Sequence, residues 1–289
     1  MAASDSTRAA TASETGIPAG FFDAPFGTHA PSAVQRSLIS AAQRSFLHRG
    51  KLRHLLTNFI AGLGAPLDVA RNGCNYRIEG TNNLIEYGLL LHPDYNGPER
   101  RFLCEGLGPG RVAVDIGSNV GLYTLPLART GAEVVAIDAN PSMVARLRFN
   151  AAASGLDGVQ VVHAAVSDAT GTVSLSIRAD DVAIVNVVEE DAGTVPMRPL
   201  ADILADAGLT RVDALKIDIE GHEDKALAPF LATASEAMIP DRIVIERVGP
   251  DDYPACFAQF QRLGYEAVGR TKSNSLYQRA AAKPSARSG

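Results

Sequence analysis

From Arg111 onward, short apolar runs alternate with stretches whose apolar positions recur at helical spacing. The runs Val112–Ile116, Glu133–Asp138, Val159–Val166, Val212–Ile217 and Arg242–Glu246 have strand length, and helices are predicted near 120–130, 141–154, 199–207, 222–232 and 252–263. Strands that alternate with helices in this way predict an α/β fold with a mostly parallel sheet and helices on both faces. The helix after Asn140 carries its own punctuation: Asn140 can cap it, Pro141 suits its first position and Gly155 follows its end. Thr172–Ile177 and Val182–Val188 read as strands inserted before the 199–207 helix. Tyr265–Arg270 and Ser275–Gln278, joined by a Lys-Ser-Asn turn, read as a closing antiparallel hairpin.

Before Arg111 the pattern is different. Residues 1–33 are rich in Ala, Ser, Thr, Gly and Pro without apolar period and are expected to be a disordered tail, as are 281–289. Residues 34–109 are expected to form an N-terminal helical and short-strand cap on a catalytic domain spanning 110–280. Within the cap, Leu38, Ile39, Ala42, Phe46, Leu52, Leu55, Leu56, Phe59 and Ile60 recur at helical spacing, which predicts two amphipathic helices broken near His48–Gly50. Residues 67–92 read as short strands, with turns at Arg71–Gly73 and Gly80–Asn83, and 98–106 as a helix.

Composition narrows the class. With 46% apolar and 20% charged residues, the 289-residue chain belongs among globular proteins rather than collagens or disordered chains. The formal net charge of −5 argues against a nucleic-acid partner, whose binding surface should be strongly basic. That charge is uneven. No acidic residue lies between Asp23 and Asp68, where Arg36, Arg44, Arg49, Lys51 and Arg53 give +5 against −10 for the rest. A solvated basic face is the plainer reading of that segment, and a site for an anionic substrate or membrane surface the sharper one. The three cysteines, Cys74, Cys104 and Cys256, form no C-x-x-C pair and read as free thiols of a reducing compartment. No run is long and apolar enough to span a bilayer, and the polar start has no signal-peptide character, so the expected location is the cytoplasm.

The chemistry concentrates at strand ends. VAVDIGSNVGLYTLPLA (112–128) runs from a buried strand through Asp115, Gly117, Ser118, Asn119 and Gly121 into a helix, the place where a doubly wound sheet binds nucleotide-like ligands. It lacks the middle glycine of a dinucleotide fingerprint and has an acid at the strand end. A carboxylate there suits a cationic, amino-bearing ligand better than a diphosphate. S-adenosylmethionine, with its ammonium and sulfonium, fits that demand. The second strand ends in Asp138, 23 residues on, placed to accept hydrogen bonds from the ribose hydroxyls of an adenosine, and Asn140 follows.

With VDIGSNVGLYTL (114–125), AIDANPS (136–142), VVHAAVSDATGTVSLSI (161–177), LKIDIEGHE (215–223) and IVIER (243–247), the sequence resembles the FkbM family of methyltransferases over about residues 100–280. The resemblance implies a Rossmann-like class I methyltransferase sheet ending in the antiparallel hairpin. It also implies S-adenosylmethionine as methyl donor and O-methylation of a hydroxyl on a sugar, polyketide or other secondary metabolite, a small-molecule acceptor. Asp115, Gly117, Asn119 and Gly121 match the family's cofactor turn, and Asp138-Ala139 stand where the family often has Glu-Pro.

LKIDIEGHED places Lys216, Asp218 and Glu220 on one side of a strand end. Asp218 is the first candidate for a polar contact at the reacting centre, with Glu220 and His222 as candidate bases for the acceptor proton. Glu246, ending the fifth strand, can line the acceptor pocket. The acids Asp218, Glu220, Glu223 and Asp224 can in principle hold Mg²⁺, but no spacing demands it and no metal is assigned. The competing readings are a nicotinamide-linked oxidoreductase and a non-catalytic adenosylmethionine-binding module. The acceptor itself is not legible, although Arg77, Glu79, Asn82, Asn83, Glu86 and Tyr87 of the cap are possible contacts.

Overall fold

In a computed structural model of the chain, which describes residues 20–80, 83–178, 181–189, 193–247 and 253–280, the apolar runs pair into one seven-stranded sheet. Its parallel part comprises β3 (Val112–Ile116), β4 (Glu133–Asp138), β5 (Val159–His163), β10 (Ala214–Ile217) and β11 (Arg242–Glu246), and the hairpin β12 (Tyr265–Arg270) and β13 (Asn274–Arg279) closes it. The order is β12-β13-β11-β10-β3-β4-β5, with β13 antiparallel to both its neighbours. The order reverses at β3, which lies between β4 and β10, so a crevice opens at the carboxyl ends of β3 and β10.

The central strands are mostly apolar because both faces of the sheet are covered. Ala113, Val134, Ala136 and Val244 point into one core with α5 (Thr124–Arg129) and α6 (Pro141–Ala153). Val112, Val114, Ile116, Val135, Ile137, Ile243 and Ile245 point into the other. That second core is built by α7 (Leu200–Asp206), α8 (Glu223–Thr233) and α9 (Pro254–Leu263). Asn140 caps α6 by accepting from the Ser142 amide at 2.9 Å, as its sequence position predicts.

Two elements depart from the expected boundaries. The run Val159–Val166 divides at Ala164: β5 stays in the main sheet, while β6 (Ala165–Ser167) joins a second sheet of order β6-β9-β7-β8. That sheet comprises β6, β7 (Gly171–Arg178), β8 (Asp181–Glu189) and β9 (Val195–Pro199). An unbroken apolar run does not say which partner each part pairs with. Residues 84–91 form a helix, not a strand. The Asn83 carboxamide accepts from the amides of Ile85 and Glu86 at 3.0 and 3.3 Å and so starts it, and a run whose one charged residue, Glu86, is itself buried shows no period to separate the two conformations.

The cap consists of α1 (Ala33–Gln43), a 3₁₀ turn (Phe46–His48), α2 (Gly50–Gly62), the hairpin β1 (Leu67–Arg71) and β2 (Cys74–Ile78), α3 (Leu84–Leu91) and α4 (Gly97–Cys104). It is pinned to the sheet by polar groups. Asn150 of α6 accepts from the Arg77 amide at 2.9 Å, Arg146 of α6 pairs with the buried Glu86, and Glu86 accepts from the amides of Glu79 and Gly80. Glu99 of α4 accepts from Thr271 at 2.6 Å and Asn274 at 3.3 Å, which ties the cap to the closing hairpin.

Residues 20–32, expected to be part of the disordered tail, are instead docked. Arg77 is fully buried, forks onto Asp68 at 2.7 and 2.9 Å, and donates to the carbonyls of Phe21, Ala24 and Pro25. Asp68 also accepts from the amides of Gly27 and His29. Burial pushes the Asp68 carboxyl up, but the Arg77 bond and these amides outweigh it and hold the group below its ordinary value. Composition does not reveal an anchor whose cation lies more than 50 residues away. Residues 1–19 and 281–289 lie outside the described residues.

Breaking the anchor should be costly, because it leaves a buried carboxylate without its cation. Arg77→Met is expected to lose about 3–5 kcal/mol of stability in chemical denaturation. It should also open residues 20–32 to proteolysis, whereas docking independent of Arg77 would leave the cleavage pattern unchanged.

Candidate active site

The turn after β3 is built on three left-handed residues. Gly117, Asn119 and Gly121 have φ of 74°, 50° and 97°. At Gly117 the reason is contact as well as φ, since a Cβ there would lie 1.9 Å from the Asp218 carbonyl oxygen, closer than any side chain allows. The Gly117 and Ser118 amides both donate to the Ile137 carbonyl, at 2.9 and 3.1 Å. The Asn119 amide donates to Asp138 at 2.7 Å, and the Asn119 carboxamide accepts from Val120 and from Asn83 of the cap.

Lys216 of β10 lies beneath this turn. It is buried, and its ammonium donates to the carbonyls of Gly117 at 2.6 Å and Ile116 at 3.2 Å. It stands 3.5 Å from Asp115 and 3.7 Å from Asp218. Burial alone would lower its pKa, but Asp218, Asp115, Asp138 and Glu246 together hold it above its ordinary value, so it stays charged.

The turn, the ends of β10 and β11, and the cap enclose a cavity of about 340 Å³, within the range of small-ligand sites. Of the residues singled out by sequence, Gly117, Asn119, Asp138, Asp218, Glu220 and Glu246 line it. Asp115 does not: it is fully buried, accepts from Thr124 at 2.5 Å and faces Lys216. Ser118 is buried behind the turn, Gly121 packs where a Cβ would meet Leu147, and Asn140 is occupied in capping α6. His222 immediately precedes α8 and lines a separate cavity of about 30 Å³ with Ala164, Ala165 and Val166, so of the two candidate bases Glu220 lines the cleft and His222 does not. Strand periodicity fails at His222 because the chain turns after Ile217, with Glu220 and Gly221 both at positive φ. Asn82 lies outside the described residues, and Arg77 and Glu86 are structural.

The cleft residues not singled out come mostly from the cap and hairpin: Leu84, Ile85, Tyr95, Asn96, Tyr123, Ser273 and Asn274. Only one local sign pointed to Asn274, its place in the Lys-Ser-Asn turn of the hairpin.

Carboxylates dominate the chemistry. Asp218, Glu220 and Glu246 bring one oxygen each within 4.8 Å of one another, a spacing at which a cation or a proton can be shared. Burial first, then Asp218 beside it and the charges of Glu220 and Glu223, push the Glu246 carboxyl up to about 9. Glu246 is therefore protonated at neutral pH and hydrogen bonds to Asp218. Its Oε2 and the Asn274 Oδ1 are buried polar atoms without a protein partner, both on residues of the cleft wall. Opposite them, burial raises Asp138 to about 6 despite the amides of Asn140 and Asn119. Glu223, by contrast, accepts from the Ile219 amide at 3.0 Å and belongs to the turn.

A seven-stranded sheet of this order, with a glycine turn and an acid-lined cleft at the switch point, defines a class I methyltransferase. The methyltransferase FkbM domain profile matches residues 115–266, more than half of the chain, and the protein belongs to that family. Its methyl donor is S-adenosylmethionine. Among curated proteins, the 23S rRNA (uracil(1939)-C(5))-methyltransferase RlmD of Shewanella sediminis is 44% identical over 59 residues, which are 20% of this chain and 13% of that protein. The chain thus spans about an eighth of the length of such relatives. Among solved structures, Trm5b from Pyrococcus abyssi is 14% identical, with 73% of this chain and 55% of that chain covered at a TM-score of 0.41. TYW2 of M. jannaschii in complex with AdoMet is 15% identical, with 74% and 86% covered at a TM-score of 0.38.

The expectation that nucleic acid is excluded is overturned by the rRNA methyltransferases among these relatives. Net charge is a whole-chain sum, whereas a nucleic-acid partner meets only a local surface. Among the described residues no helix is long and apolar enough to cross a membrane.

The raised Glu246 pKa carries a stability consequence. The folded state holds this proton to about 9 while an unfolded Glu releases it near 4.5. The stabilisation is complete below the unfolded value and is lost as pH rises through the folded one. Glu246→Gln removes that loss, so the variant should melt higher than wild type at about pH 8, by at least about 2 °C. The gap should close near the unfolded value; a gap that does not change with pH means that Glu246 is ionised in the fold.

Proposed function

We propose that this methyltransferase transfers the methyl group to a hydroxyl oxygen, with Asp218 and Glu220 receiving the acceptor proton. The observation that carries this reading is the Asp218, Glu220 and Glu246 cluster, whose oxygens lie within 4.8 Å of one another on the cleft wall across the Gly117 turn from Asp138.

The donor set fits adenosylmethionine. The Asp138 carboxylate is held by two amides, which leaves lone pairs for ribose hydroxyls. The acidic wall suits an ammonium and a sulfonium, and the orphaned Asn274 and Glu246 oxygens await donors. When bound, the cofactor supplies an electrophilic methyl carbon. The protein's part is to place an oxygen in line with that carbon and to take its proton.

The carboxylates differ in readiness. The protonated Glu246 hydrogen bonds to Asp218, and Lys216 stands 3.7 Å from Asp218. That arrangement limits repulsion within the cluster. Glu220, at φ 55°, lies in the same wall.

The alternative chemistry named for the relatives, methylation at a uracil carbon, favours an activated nucleophile that adds to the ring. Among the described residues no cysteine lines the cleft, and burial raises the thiols of Cys74, Cys104 and Cys256. That disfavours addition to a ring carbon and favours a hydroxyl oxygen as the acceptor atom, whether of a carbohydrate, a secondary metabolite or a ribose of RNA. A cytoplasmic location accords with its free thiols.

Incubation with methyl-labelled adenosylmethionine and a panel of saccharides, phenolic metabolites and RNA, followed by mass mapping of the label, tests this directly. Label on oxygen supports the reading, and label on a base carbon overturns it. Asp218→Asn and Glu220→Gln should lower turnover about a hundredfold with cofactor affinity kept. Asp138→Ala should weaken adenosylhomocysteine binding at least about tenfold.

Binding of adenosylhomocysteine should also depend on pH. Its ribose hydroxyls donate to the ionised Asp138, so affinity should fall as pH drops through about 6. Asp138→Asn should flatten that profile; an unchanged profile assigns the titration elsewhere.

A further inference from the structure

Helix α2 turns its apolar stripe outward. Leu52, Leu55, Phe59 and Leu63 recur every three or four residues and are 43%, 68%, 58% and 48% exposed, and Phe46 in the preceding turn is 68% exposed. The opposite face is satisfied: Thr57, Ile60 and Ala61 are buried, and Tyr87 of α3 donates to Asn58 at 3.1 Å. The stripe is thus a second apolar face on a helix that already has its core contact. A contiguous exposed face of this kind marks an interaction surface.

Its charge setting identifies the occupant. Exposed Arg36, Arg44, Arg49 and Lys51 lie in the same stretch, which contains no carboxylate from residue 24 to residue 67. Apolar residues on one face with flanking cations are the pattern of a helix lying in a bilayer interface, apolar face down and cations at the headgroups.

We propose that α2 and the preceding 3₁₀ turn dock this protein on an anionic phospholipid surface.

Two copies meeting about a twofold axis would set each copy's cations against the same cations of its mate, a repulsive arrangement. An RNA strand would satisfy the cations but leave the leucines Leu52, Leu55 and Leu63 against phosphate, where burial gains nothing. The N-terminal residues 1–19 offer Met1 and Ile17 as large apolar groups, too few to cover five. A bilayer satisfies both features at once. The geometry also relates the surface to the cleft. Arg53 of α2 lies over the Tyr95 ring at 5.4 Å, and Tyr95, with Leu84 and Ile85 of the adjoining α3, lines the cleft. Lipid docking would hold the cleft wall one helix layer from the membrane surface. The proposal does not depend on the identity of the methyl acceptor.

Flotation of the full chain with vesicles of phosphatidylcholine alone, and of phosphatidylcholine with phosphatidylglycerol at about 3:2, tests it. Co-flotation only with the anionic vesicles is expected, weakening as salt rises from about 0.1 to about 0.5 M. Leu55→Ser with Phe59→Ser should abolish it. Arg49→Gln and Lys51→Gln should each weaken it about fivefold. These positions are exposed, so unchanged melting and adenosylhomocysteine binding verify that the variants fold.

Absence of flotation overturns the proposal, as does equal flotation with neutral vesicles. So does a concentration-dependent dimer in light scattering, or filter-bound single-stranded RNA, that the serine variants abolish while flotation persists.

Discussion

The site depends on one buried cation. The Lys216 ammonium receives the carbonyls of Ile116 and Gly117 as hydrogen-bond acceptors and stands within 4 Å of Asp115 and Asp218. Asp115 is a fully buried carboxylate whose Oδ1 accepts no hydrogen bond, so the Lys216 charge 3.5 Å away is what offsets its burial. With it, two carboxylates and two carbonyls from adjacent strands converge on one charge. The floor of the glycine turn and the first acid of the cleft wall are then positioned by the same group. This explains the spacing of the chain here: β3 and β10 are parallel neighbours with Lys216 opposite Asp115, so the ammonium reaches both strand ends. The 1.9 Å clearance at Gly117 has the same origin, because the turn is drawn down onto the Asp218 backbone.

The cap depends on comparable buried pairs. Arg77 and Asp68 hold residues 20–32, Arg146 and Glu86 hold the α3 start to α6, and Asn83 reaches the carboxamide of Asn119 in the turn itself. Such pairs add little net stability against an apolar replacement, but they allow one geometry, since a cation left unpaired in the core is costly. The cleft wall formed by Leu84, Ile85, Tyr95 and Asn96 is thereby set relative to a sheet to which those residues are not otherwise bonded in sequence. Glu99 performs the same service for the hairpin turn that carries Ser273, by accepting from Thr271 and Asn274 on either side of it.

The parallel sheet was legible because its strands are buried on both faces and carry near-continuous apolar runs, and because the caps at Asn140 and Gly155 obey local rules. The division of Val159–Val166 between two sheets and the helix at 84–91 were not, since partner choice and backbone conformation in a mostly apolar run are decided by tertiary contact. In the site, the sequence reading found Gly117, Asn119, Asp138, Asp218, Glu220 and Glu246 in the cleft. The same motifs also carry Asp115, Gly121 and Asn140, whose side chains or Cβ positions serve the scaffold. A motif preserves both kinds of residue without distinguishing them; only the direction of each side chain does. His222 illustrates the limit, because the two-residue period that would place it with Asp218 ends where the strand ends, at Ile217.

Charge sorting links these parts. The chain's acidity is not spread evenly over a surface: Asp138, Asp218, Glu220 and Glu246 converge on one cavity, while the first two cap helices, α1 and α2, lie in a stretch with cations and no acid. Burial raises the proton affinity of both Asp138, to about 6, and Glu246, to about 9, and at Glu246 the neighbouring Asp218, Glu220 and Glu223 add to it, which is destabilising at neutral pH. A fold retains such repulsion where ligand charge or a transferred proton offsets it. Lys216 supplies part of that offset permanently, and its fixed position beneath the turn leaves the remainder to whatever enters from the cleft side. The acid cluster and the buried cation are therefore one device: a wall poised to accept positive charge, held open by a scaffold that already contains as much of it as packing allows.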